Sequence, residues 1–528
     1  YDPRLEDVKI SNLETGSDGD ASLGFTYEKV QLTTTPTKIN GAPGPSSTWS
    51  YDKETGGAAA AIAEPKAVSQ GNTAPDPDPT YYLVINGIDG GSDIENAEGA
   101  FQIDAFNFQI TTIPGTGEPD LSSFDVAAAI GSALPQLVSL AATGTMIESI
   151  QIKGINSDGK TVYDLRLGNA QIGLLSDSSD GGDSISFKYE RIDLTTTPVK
   201  ADGSLGTPRK FLWDISKNAP GAEVSEPMAS DDGGSPAGAG KYFMIVEGVD
   251  GGSVSVHAPN AFEIGSFAFA LNNLFSGNGV SSSSFNDLTV ELLLTSAMPQ
   301  LAELVANGTK ISAVQFKRIN DQGETLSDLR LGGVTISGLS DISTGEGQIT
   351  LKYEAIDLRS QLPSSIGQFQ WDVKNGVAGG TIAPPSAANT GTTSNPDSTF
   401  YLFIDGVDGG SRAAIAPGAF DLSNFAFNLE KAVSQGGGPS GDLVAGDLSI
   451  GLNLSHALTE LQSTGATIPS IQIKGISGDG QTIYDLRLQD VNIKNIPETD
   501  GPDTMSVGYG EIEIITTPLG ANGAPGTP

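Results

Sequence analysis

The pentapeptide YDLRL, at Tyr163–Leu167, lies within a long repeat that decides the fold of this chain. It recurs as YDPRL at Tyr1–Leu5, SDLRL at Ser327–Leu331 and YDLRL at Tyr484–Leu488. The four copies begin 162, 164 and 157 residues apart. The length of 528 residues predicts three to five domains, and the repeat period agrees with domains that are each long enough to bury a core without cross-links.

Each full copy places the same short apolar segments on either side of the pentapeptide. In the first copy, the upstream segments are YYLVINGIDGGS from Tyr81, AFQIDAFNFQI from Ala100 and SIQIKGI from Ser149. The downstream segment is SISFKYERIDLTTTP from Ser184. Alternating apolar residues predict strands with one buried face, and the Asp-Gly-Gly groups predict tight turns. The repeat is therefore predicted to be mainly β.

One short helix is predicted in each full copy, and the first of them is SALPQLVSLAATG from Ser132. Its large apolar residues fall on one helical face, and its proline is tolerated because it lies in the first turn. Gly144, Gly308 and Gly465 are expected to end the three helices, because glycine readily adopts the left-handed conformation that closes many helices.

The downstream segment contains an irregularity that recurs in each copy. Apolar residues alternate up to Tyr189 and resume at Ile192, so the period of two slips by one residue. The same slip separates Tyr27 from Val30, Tyr353 from Ile356 and Tyr509 from Ile512. A slip at one repeat position predicts a bulge or a strand that changes faces, and such features help a sheet to curl into a barrel. We therefore expect tandem small β-barrels, each with one short α-helix.

A tryptophan-containing strand is predicted to close each unit. The three segments are STWSYD with Trp49, FLWDISKN with Trp213 and FQWDVKNG with Trp371. We assign the three tryptophans to one repeat position, where each is expected to pack on its barrel. The alternative is that they form intermolecular contacts, since tryptophan is enriched in interface hot spots. Trp49, Trp213 and Trp371 are therefore the candidate interface residues.

These segments divide the chain into four parts. Residues 1–57 hold only the C-terminal half of a repeat, and residues 81–220 and 241–380 hold complete repeats. Residues 400–528 hold a repeat that lacks its terminal tryptophan strand. We call these parts the opening half-repeat, repeat 1, repeat 2 and repeat 3.

Composition excludes several classes of function. The net charge is −36, from 28 basic and 64 acidic residues, which disfavours binding to nucleic acid or to an anionic membrane surface. The chain has no cysteine, which excludes disulfides and thiolate chemistry. No apolar run is long enough for a transmembrane helix, so membrane insertion is not expected.

The sequence contains no convincing catalytic or cofactor-binding motif, and we expect a protein that is not an enzyme. GINSDGKT, Gly154–Thr161, fits the phosphate-loop pattern, but the residues that follow predict a strand where that loop needs a helix. The lysine of this segment is replaced by Glu324 and Gln481 in the other repeats. The two histidines, His257 and His456, occupy unlike positions in different repeats.

Calcium is the one metal that the sequence makes plausible. The loop SDSSDGGDS offers the hard oxygen ligands of Asp177, Asp180 and Asp183 within a few residues. It matches neither an EF-hand loop nor a nonapeptide β-roll repeat. The alternative, which we favour, is a solvated turn without a metal, so no cofactor is expected.

The ordered set of segments resembles the haemolysin-coregulated protein (Hcp) family, whose members form the tube of type VI secretion. The segments that carry the resemblance are the IDGG strand from Tyr81, the helix ending in ATG, YDLRL, SFKYERIDLTTTP and the tryptophan strand. The resemblance implies a small β-barrel with one helix on its side, assembled into hexameric rings that stack into a hollow tube. It implies a structural, self-assembling and secreted protein.

Tandem fusion opens three alternatives for assembly. Two chains could build a pseudo-hexameric ring of a secretion tube, or the barrels could form an extracellular filament on a bacterial surface. The third alternative is an extracellular adhesion or binding module. Both ends of the chain hold incomplete repeats, which is explained either by a section of a longer array or by strand exchange. In strand exchange, the Trp49 strand would complete the last barrel of a neighbouring chain, and such head-to-tail contacts generate fibres.

Overall fold

A computed structural model describes most of the chain. The described residues are 2–16, 21–35, 37, 42, 44–64, 73–74, 79–112, 119–120, 124–179, 182–200, 202–230, 240–276, 279–293, 297–342, 346–361, 366–389, 398–433, 439–452, 456–496 and 503–517. They form a mainly β structure with few helices, as the sequence predicts.

Each full repeat contains one α-helix. These are α1 (Leu134–Thr143), which follows a short 3₁₀ turn (Gly131–Ala133), α2 (Met298–Asn307) and α3 (His456–Thr464). The predicted stop residues Gly144, Gly308 and Gly465 follow them with φ angles of 63°, 62° and 64°. These left-handed conformations favour glycine, so the prediction of the helix ends is confirmed.

The strands are numbered in chain order. Those of the opening half-repeat and the following linker are β1 (Asp2–Glu6), β2 (Lys9–Gly16), β3 (Ala21–Thr26), β4 (Lys29–Thr34), β5 (Ser47–Asp52) and β6 (Thr73–Ala74). Those of repeat 1 are β7 (Thr80–Ile85), β8 (Phe101–Thr112), β9 (Pro119–Asp120), β10 (Phe124–Ala128), β11 (Ile147–Ile155), β12 (Thr161–Ser178), β13 (Ser184–Lys188), β14 (Arg191–Thr196), β15 (Val199–Lys200) and β16 (Arg209–Asp214).

The later repeats follow the same order. The strands of repeat 2 are β17 (Lys241–Val246), β18 (Phe262–Ser276), β19 (Gly279–Phe285), β20 (Leu288–Leu293), β21 (Ile311–Ile319), β22 (Thr325–Ile342), β23 (Glu346–Lys352), β24 (Ala355–Gln361), β25 (Ile366–Asp372) and β26 (Val377–Ala378). Those of repeat 3 are β27 (Ser398–Ile404), β28 (Phe420–Val433), β29 (Pro439–Ala445), β30 (Leu448–Leu452), β31 (Ile468–Ser477), β32 (Thr482–Asn495), β33 (Asp503–Gly508) and β34 (Glu511–Thr516).

The chain divides into two compact units. The first comprises Tyr1–Ala129, Gly144–Leu174 and Ser184–Asp231. The second comprises Ile130–Thr143, Leu175–Asp183 and Asp232–Pro528. Helix α1 and the loop with Asp177 therefore belong with repeats 2 and 3, although they lie within repeat 1 in the sequence. The repeat boundaries remain a prediction from the sequence pattern.

Antiparallel pairing closes repeat 2 into a barrel. Strand β17 pairs with β21 and β18, β18 pairs with β20, β20 with β23, β23 with β22, and β22 with β21. Repeat 3 closes in the same way through β27, β31, β32, β33, β30 and β28. Fully buried aromatic rings such as Phe262, Phe269 and Phe316 fill the interior of repeat 2. Burying such rings is a large apolar contribution to stability.

The long strand that begins with the pentapeptide serves two sheets. The first part of β22 pairs with β21 and β24, and its second part, from Thr335, pairs with β23. The predicted slip between Tyr353 and Ile356 falls where β23 ends and β24 begins. Strand β23 pairs with β20 and β22, whereas β24 pairs with β22 and β25. The chain therefore changes sheets at the slip, and one face of each strand stays on the core.

Candidate assembly interface

Adjacent repeats are joined by an antiparallel strand pair whose register is the same in both units. In the first unit, β2 pairs with β8 from Asn12 opposite Thr111 to Gly16 opposite Asn107. In the second unit, β22 pairs with β28 from Gly338 opposite Glu430 to Ile342 opposite Ala426. Asn12 and Gly338 each lie 11 residues after the start of the pentapeptide. We call this pairing the repeat joint.

The register of the repeat joint is specified by the sequence. Thr111 and Glu430 each lie 10 residues after Phe101 and Phe420, the first residues of β8 and β28. A shift of one residue would turn every side chain of a strand to the opposite face of the sheet. The same register in two separate units therefore indicates that consecutive repeats make one specific, recurring contact.

A helix strengthens the repeat joint in the second unit. Helix α1 contacts β18, β19, β24 and β25 of repeat 2, and α2 contacts β28, β29 and β34 of repeat 3. Asn273 Nδ2 donates a hydrogen bond of 2.8 Å to the Ala141 carbonyl, and Lys431 Nζ donates one to the Ala306 carbonyl. Asn273 and Lys431 occupy the same repeat position, 11 residues after the first residue of their strands.

These side chains satisfy carbonyls near the C-terminus of a helix. The last carbonyls of a helix lack partners within the helix and carry partial negative charge. The amide of Asn273 and the ammonium of Lys431 supply the missing donors from the following repeat. Each helix thus contributes to the stability of the next repeat as well as its own.

The strand register corrects the predicted equivalence of the three tryptophans. Trp213 lies opposite Ile192 and Trp371 lies opposite Ile356, which are equivalent residues. The residue opposite the equivalent Val30 is Tyr51, and Trp49 instead lies opposite Leu32.

Trp49 is therefore shifted by two residues from the position of the other tryptophans and shares the register of Phe211 and Phe369. The prediction was wrong because the opening half-repeat carries Tyr-Asp where the other two strands carry Trp-Asp. In each strand the two aromatic rings stack, with centroids 6.2 Å apart for Trp49 and Tyr51 and 5.9 Å apart for Phe369 and Trp371.

Burial at this shared position depends on the surroundings of the strand. Trp49 is 57% exposed and Phe211 is 42% exposed, whereas Phe369 is only 6% exposed. Strand β25, which carries Phe369, contacts helix α1, and the Phe369 ring lies 6.5 Å from that of Phe285. The aromatic position is therefore a contact surface for the helix of the preceding repeat. An intermolecular role for Trp49, Trp213 and Trp371 stays a prediction.

The opening half-repeat exposes apolar side chains that are buried in the full repeats. Leu23 is 51% exposed and Phe25 is 46% exposed, whereas the equivalent Ile185 and Phe187 are 1% and 0% exposed. Leu5, Val8 and Ile10 are exposed in the same way, whereas the equivalent Leu167, Ala170 and Ile172 are buried. We call Leu5, Val8, Ile10, Leu23 and Phe25 the open face.

The three calcium candidates do not form a described site. Asp180 lies outside the described residues. Burial, together with the nearby charge of Asp183, raises the pKa of Asp177 from 3.8 to about 7, and burial also raises the pKa of Asp183. Asp183 accepts hydrogen bonds from the backbone N–H groups of Ile130 (3.0 Å) and Ser178 (2.9 Å).

The acidic pair also lies in the field of Arg318, whose charge lowers the pKa of both carboxyl groups. Among the described residues, no group of three or more histidine, cysteine, aspartate or glutamate side chains could hold a metal ion. The favoured interpretation, a turn without a metal, stays a prediction, as does the calcium alternative.

The phosphate-loop match is a hairpin turn. Strand β11 ends at Ile155 and β12 begins at Thr161, so a strand follows where a phosphate loop needs a helix. The Asn156 side chain accepts hydrogen bonds from the backbone N–H groups of Asp158 and Lys160 and closes the turn. The prediction that a strand follows this segment is confirmed.

The repeat joint of the second unit borders a groove of about 730 Å³. Its lining comes from both repeats and includes Ser340, Thr350, Phe427, Lys431 and Asp447. Mixed charges and hydroxyl groups line it without a convergent set of catalytic groups. No helix in the described part of the chain is both long and apolar enough to cross a membrane.

Residues 82–195 and 243–359 each match the family model described as type VI secretion system effector, Hcp. The two matches cover most of repeats 1 and 2. None of the curated proteins matches the chain.

Several solved structures are similar to parts of the chain at low identity. A type six secretion system protein is 16% identical, over 27% of this chain and 98% of its own, with a TM-score of 0.25. Hcp2 from Salmonella typhimurium is 16% identical, over 25% of this chain and 96% of its own, with a TM-score of 0.21. A variant Hcp1 from E. coli EAEC 042 is 18% identical, over 25% of this chain and 99% of its own, with a TM-score of 0.23. The likeness of repeats 1 and 2 to the Hcp family rests on the two family-model matches, and the solved structures carry no argument.

Proposed function

We propose that this chain, in which residues 82–195 and 243–359 match the Hcp family of type VI secretion, is a structural and non-enzymatic subunit of a secreted filament or tube. The observation that carries the proposal is the repeat joint, which has one register in two separate units. A contact that recurs between consecutive domains is the element from which a regular assembly is built. Because consecutive repeats lie on one polypeptide, the chain itself fixes the order of neighbouring barrels.

The proposal extends this order from one chain to the next through the end strands. Strands β14 and β24 each pair with a following aromatic strand, β16 or β25. Strand β34 is equivalent to them and pairs with β32, and the strand pairs of the described residues place no aromatic strand on its other edge. Accordingly Ile512 is partly exposed, whereas the equivalent Ile192 and Ile356 are fully buried.

The strand that fits this edge is β5 of a neighbouring chain. Strand β5 pairs with β4 on one side, and its only other described partner is the bridge from Asp52 to Gly57. Added to β34 in the register of β25, it would place Tyr51 opposite Ile512 and Trp49 opposite Ile514. Backbone hydrogen bonds would give affinity and the aromatic pair would give specificity. Since β5 pairs with β4 in the register in which β25 pairs with β24, an exchanged β5 would leave β4 and use the same backbone edge on β34.

The experiment is sedimentation velocity over a range of concentrations on the purified chain and two variants. We expect the wild type to form larger species as its concentration rises. Trp49→Glu should remain monomeric, because a charge would be buried between β5 and β34 of neighbouring chains. Val256→Glu is the matched control, since Val256 is 85% exposed and lies far from the end strands in the sequence. A wild type that is monomeric at all concentrations would contradict the proposal. A closed species of two chains would favour the pseudo-hexameric ring over the linear polymer.

A further inference from the structure

A segment of repeat 1 docks on repeat 2 within the second compact unit. Residues 175–179 together with Asp183, which we call the acidic loop, belong to that unit, as does helix α1. Ser179 makes two hydrogen bonds with the backbone of Phe267 in β18. Its Oγ accepts from the Phe267 N–H at 2.8 Å, and its own N–H donates to the Phe267 carbonyl at 3.1 Å. The acidic loop is therefore held on the first long strand of repeat 2.

Asp183 ties the acidic loop to the segment that leads into α1. Its carboxylate accepts hydrogen bonds from the backbone N–H groups of Ser178, in the loop, and of Ile130, before the helix. Asp183 is only 5% exposed, and Asp177 places a second carboxyl group beside it. Two neighbouring carboxyl groups with little access to water need a compensating positive charge.

Repeat 2 supplies this charge from a position that is neutral in the other full repeats. The equivalent residues of β11, β21 and β31, each with the residue opposite on the next strand, are Gly154 with Tyr163, Arg318 with Ser327 and Gly475 with Tyr484. The Arg318 guanidinium carbon lies 5.7 Å from the centroid of the Tyr242 ring, and Nε is buried without a hydrogen-bond partner among the described residues. Its charge acts on both Asp177 and Asp183.

The arginine and the serine of repeat 2 depend on each other. In repeat 1, a Cβ added at Gly154 would lie 2.9 Å from atoms of both Tyr81 and Tyr163, so a side chain at that position has no room. Ser327 has no ring, which leaves space for the long side chain of Arg318. Repeat 2 therefore carries a matched pair of replacements that brings a cation to the acidic loop.

The acidic pair and the arginine occur together at one joint only. In the other two joints of the chain, the residues at the positions of Asp183 and Arg318 are Ala21 with Gly154 and Gly347 with Gly475. Neither of those joints has a charge at either position. Acid and base thus appear together or are both absent, as complementary charges at a contact require.

We propose that Arg318 is a specificity-determining residue of the joint between repeats 1 and 2, where it selects the acidic loop as the segment that docks on β18. An acidic loop on a repeat with glycine at this position would leave two carboxyl groups uncompensated, and a neutral loop on repeat 2 would leave the guanidinium uncompensated. These charges determine which repeats can be neighbours. The inference rests on the repeat joint of the proposed function but not on contacts between chains, so a chain that stays monomeric would leave it standing.

The experiment converts this position in the full chain to the neutral type of repeats 1 and 3, by Arg318→Gly together with Ser327→Tyr. Hydrogen exchange is measured by mass spectrometry at about pH 8, so that the Asp177 carboxyl group of the wild type is mostly ionised. We expect exchange in the acidic loop and α1 to be about tenfold faster or more, with little change in β17 and β21. Adding Asp177→Asn should restore most of the protection, because one carboxyl group is then neutral. Protection that the double variant leaves unchanged, or that Asp177→Asn does not restore, would overturn the proposal.

A second pair of variants guards against a repeat 2 that fails to fold after the double replacement. Arg318→Met removes the charge but keeps a long side chain, whereas Arg318→Lys keeps the charge. We expect Arg318→Met to speed exchange in the acidic loop about tenfold or more, and Arg318→Lys to have a clearly smaller effect. Equal effects of the two variants would overturn the proposal, because the side chain would then act only by filling space.

Discussion

Replacement of Phe25 and of Phe187 by alanine, in separate variants, compares one repeat position in two surroundings. Phe187 is fully buried and lies opposite Phe124, whose ring is 5.8 Å from Phe106 and 6.4 Å from Phe108. Removing a buried phenylalanine costs roughly 3–5 kcal/mol, because the transfer free energy is lost and a cavity remains. Phe25 is 46% exposed, so its replacement loses only about half of the transfer term and leaves no closed cavity. We expect a cost of about 1 kcal/mol for Phe25→Ala.

The difference between the two variants, about 2–4 kcal/mol, follows from their burial alone. Hydrogen exchange in low concentrations of urea is the appropriate assay, because a chain with several barrels does not unfold in one step. The free energy of opening is measured for amides of β13 in Phe187→Ala and of β3 in Phe25→Ala. An equal loss in both variants would refute the reasoning, since it would show that the open face is covered in solution.

The remaining predictions concern the repeat joint and the acidic pair. Lys431→Ala should destabilise α2 by about 1 kcal/mol, read from its hydrogen exchange, because the Ala306 carbonyl loses its donor, whereas Lys431→Arg should retain most of the stability. Because the folded-state pKa of Asp177 is about 7 and its ordinary value is 3.8, the folded state binds the proton more tightly, and this carboxyl lowers stability as the pH rises between about 4 and 7. Asp177→Asn should remove this dependence of stability on pH. At pH 8 it should raise the free energy of unfolding by at most about 4 kcal/mol, and the melting temperature with it. A pH dependence that is unchanged in the variant would contradict the raised pKa of Asp177. Because burial raises the pKa of Asp177 to about 7, its carboxyl group is only partly ionised at pH 7, and a calcium chelator should leave the melting temperature unchanged at that pH; a clear decrease would favour a calcium site.

The sequence was sufficient for the elements that depend on local pattern. The helix ends at Gly144, Gly308 and Gly465 follow from the conformational freedom of glycine. The change of sheet between Tyr353 and Ile356 follows from a slip in the period of two, because each strand must keep its apolar face on the core. The family resemblance of the repeats is likewise confirmed by the family matches.

The contacts of the repeat joint could not be predicted from the sequence. The pairing of Gly338 with Glu430 joins segments that are far apart in the chain, and no local pattern specifies such a partner. The donation from Asn273 to Ala141 was missed for the same reason, since asparagine in one repeat and lysine in another leave no common motif. The predicted position of Trp49 was wrong by two residues because the strands were aligned on their tryptophans, which the observed register does not place together. Alignment of each aromatic strand on its final aspartate would have found the correct position.

Electron microscopy of the purified wild-type chain tests most directly whether chains join end to end through β5 and β34. We expect linear assemblies at micromolar concentration, with beads at the spacing of single barrels, that are absent from grids of Trp49→Glu prepared in the same way. Well-separated particles of single chains at every concentration, or linear assemblies that persist in Trp49→Glu, would contradict it.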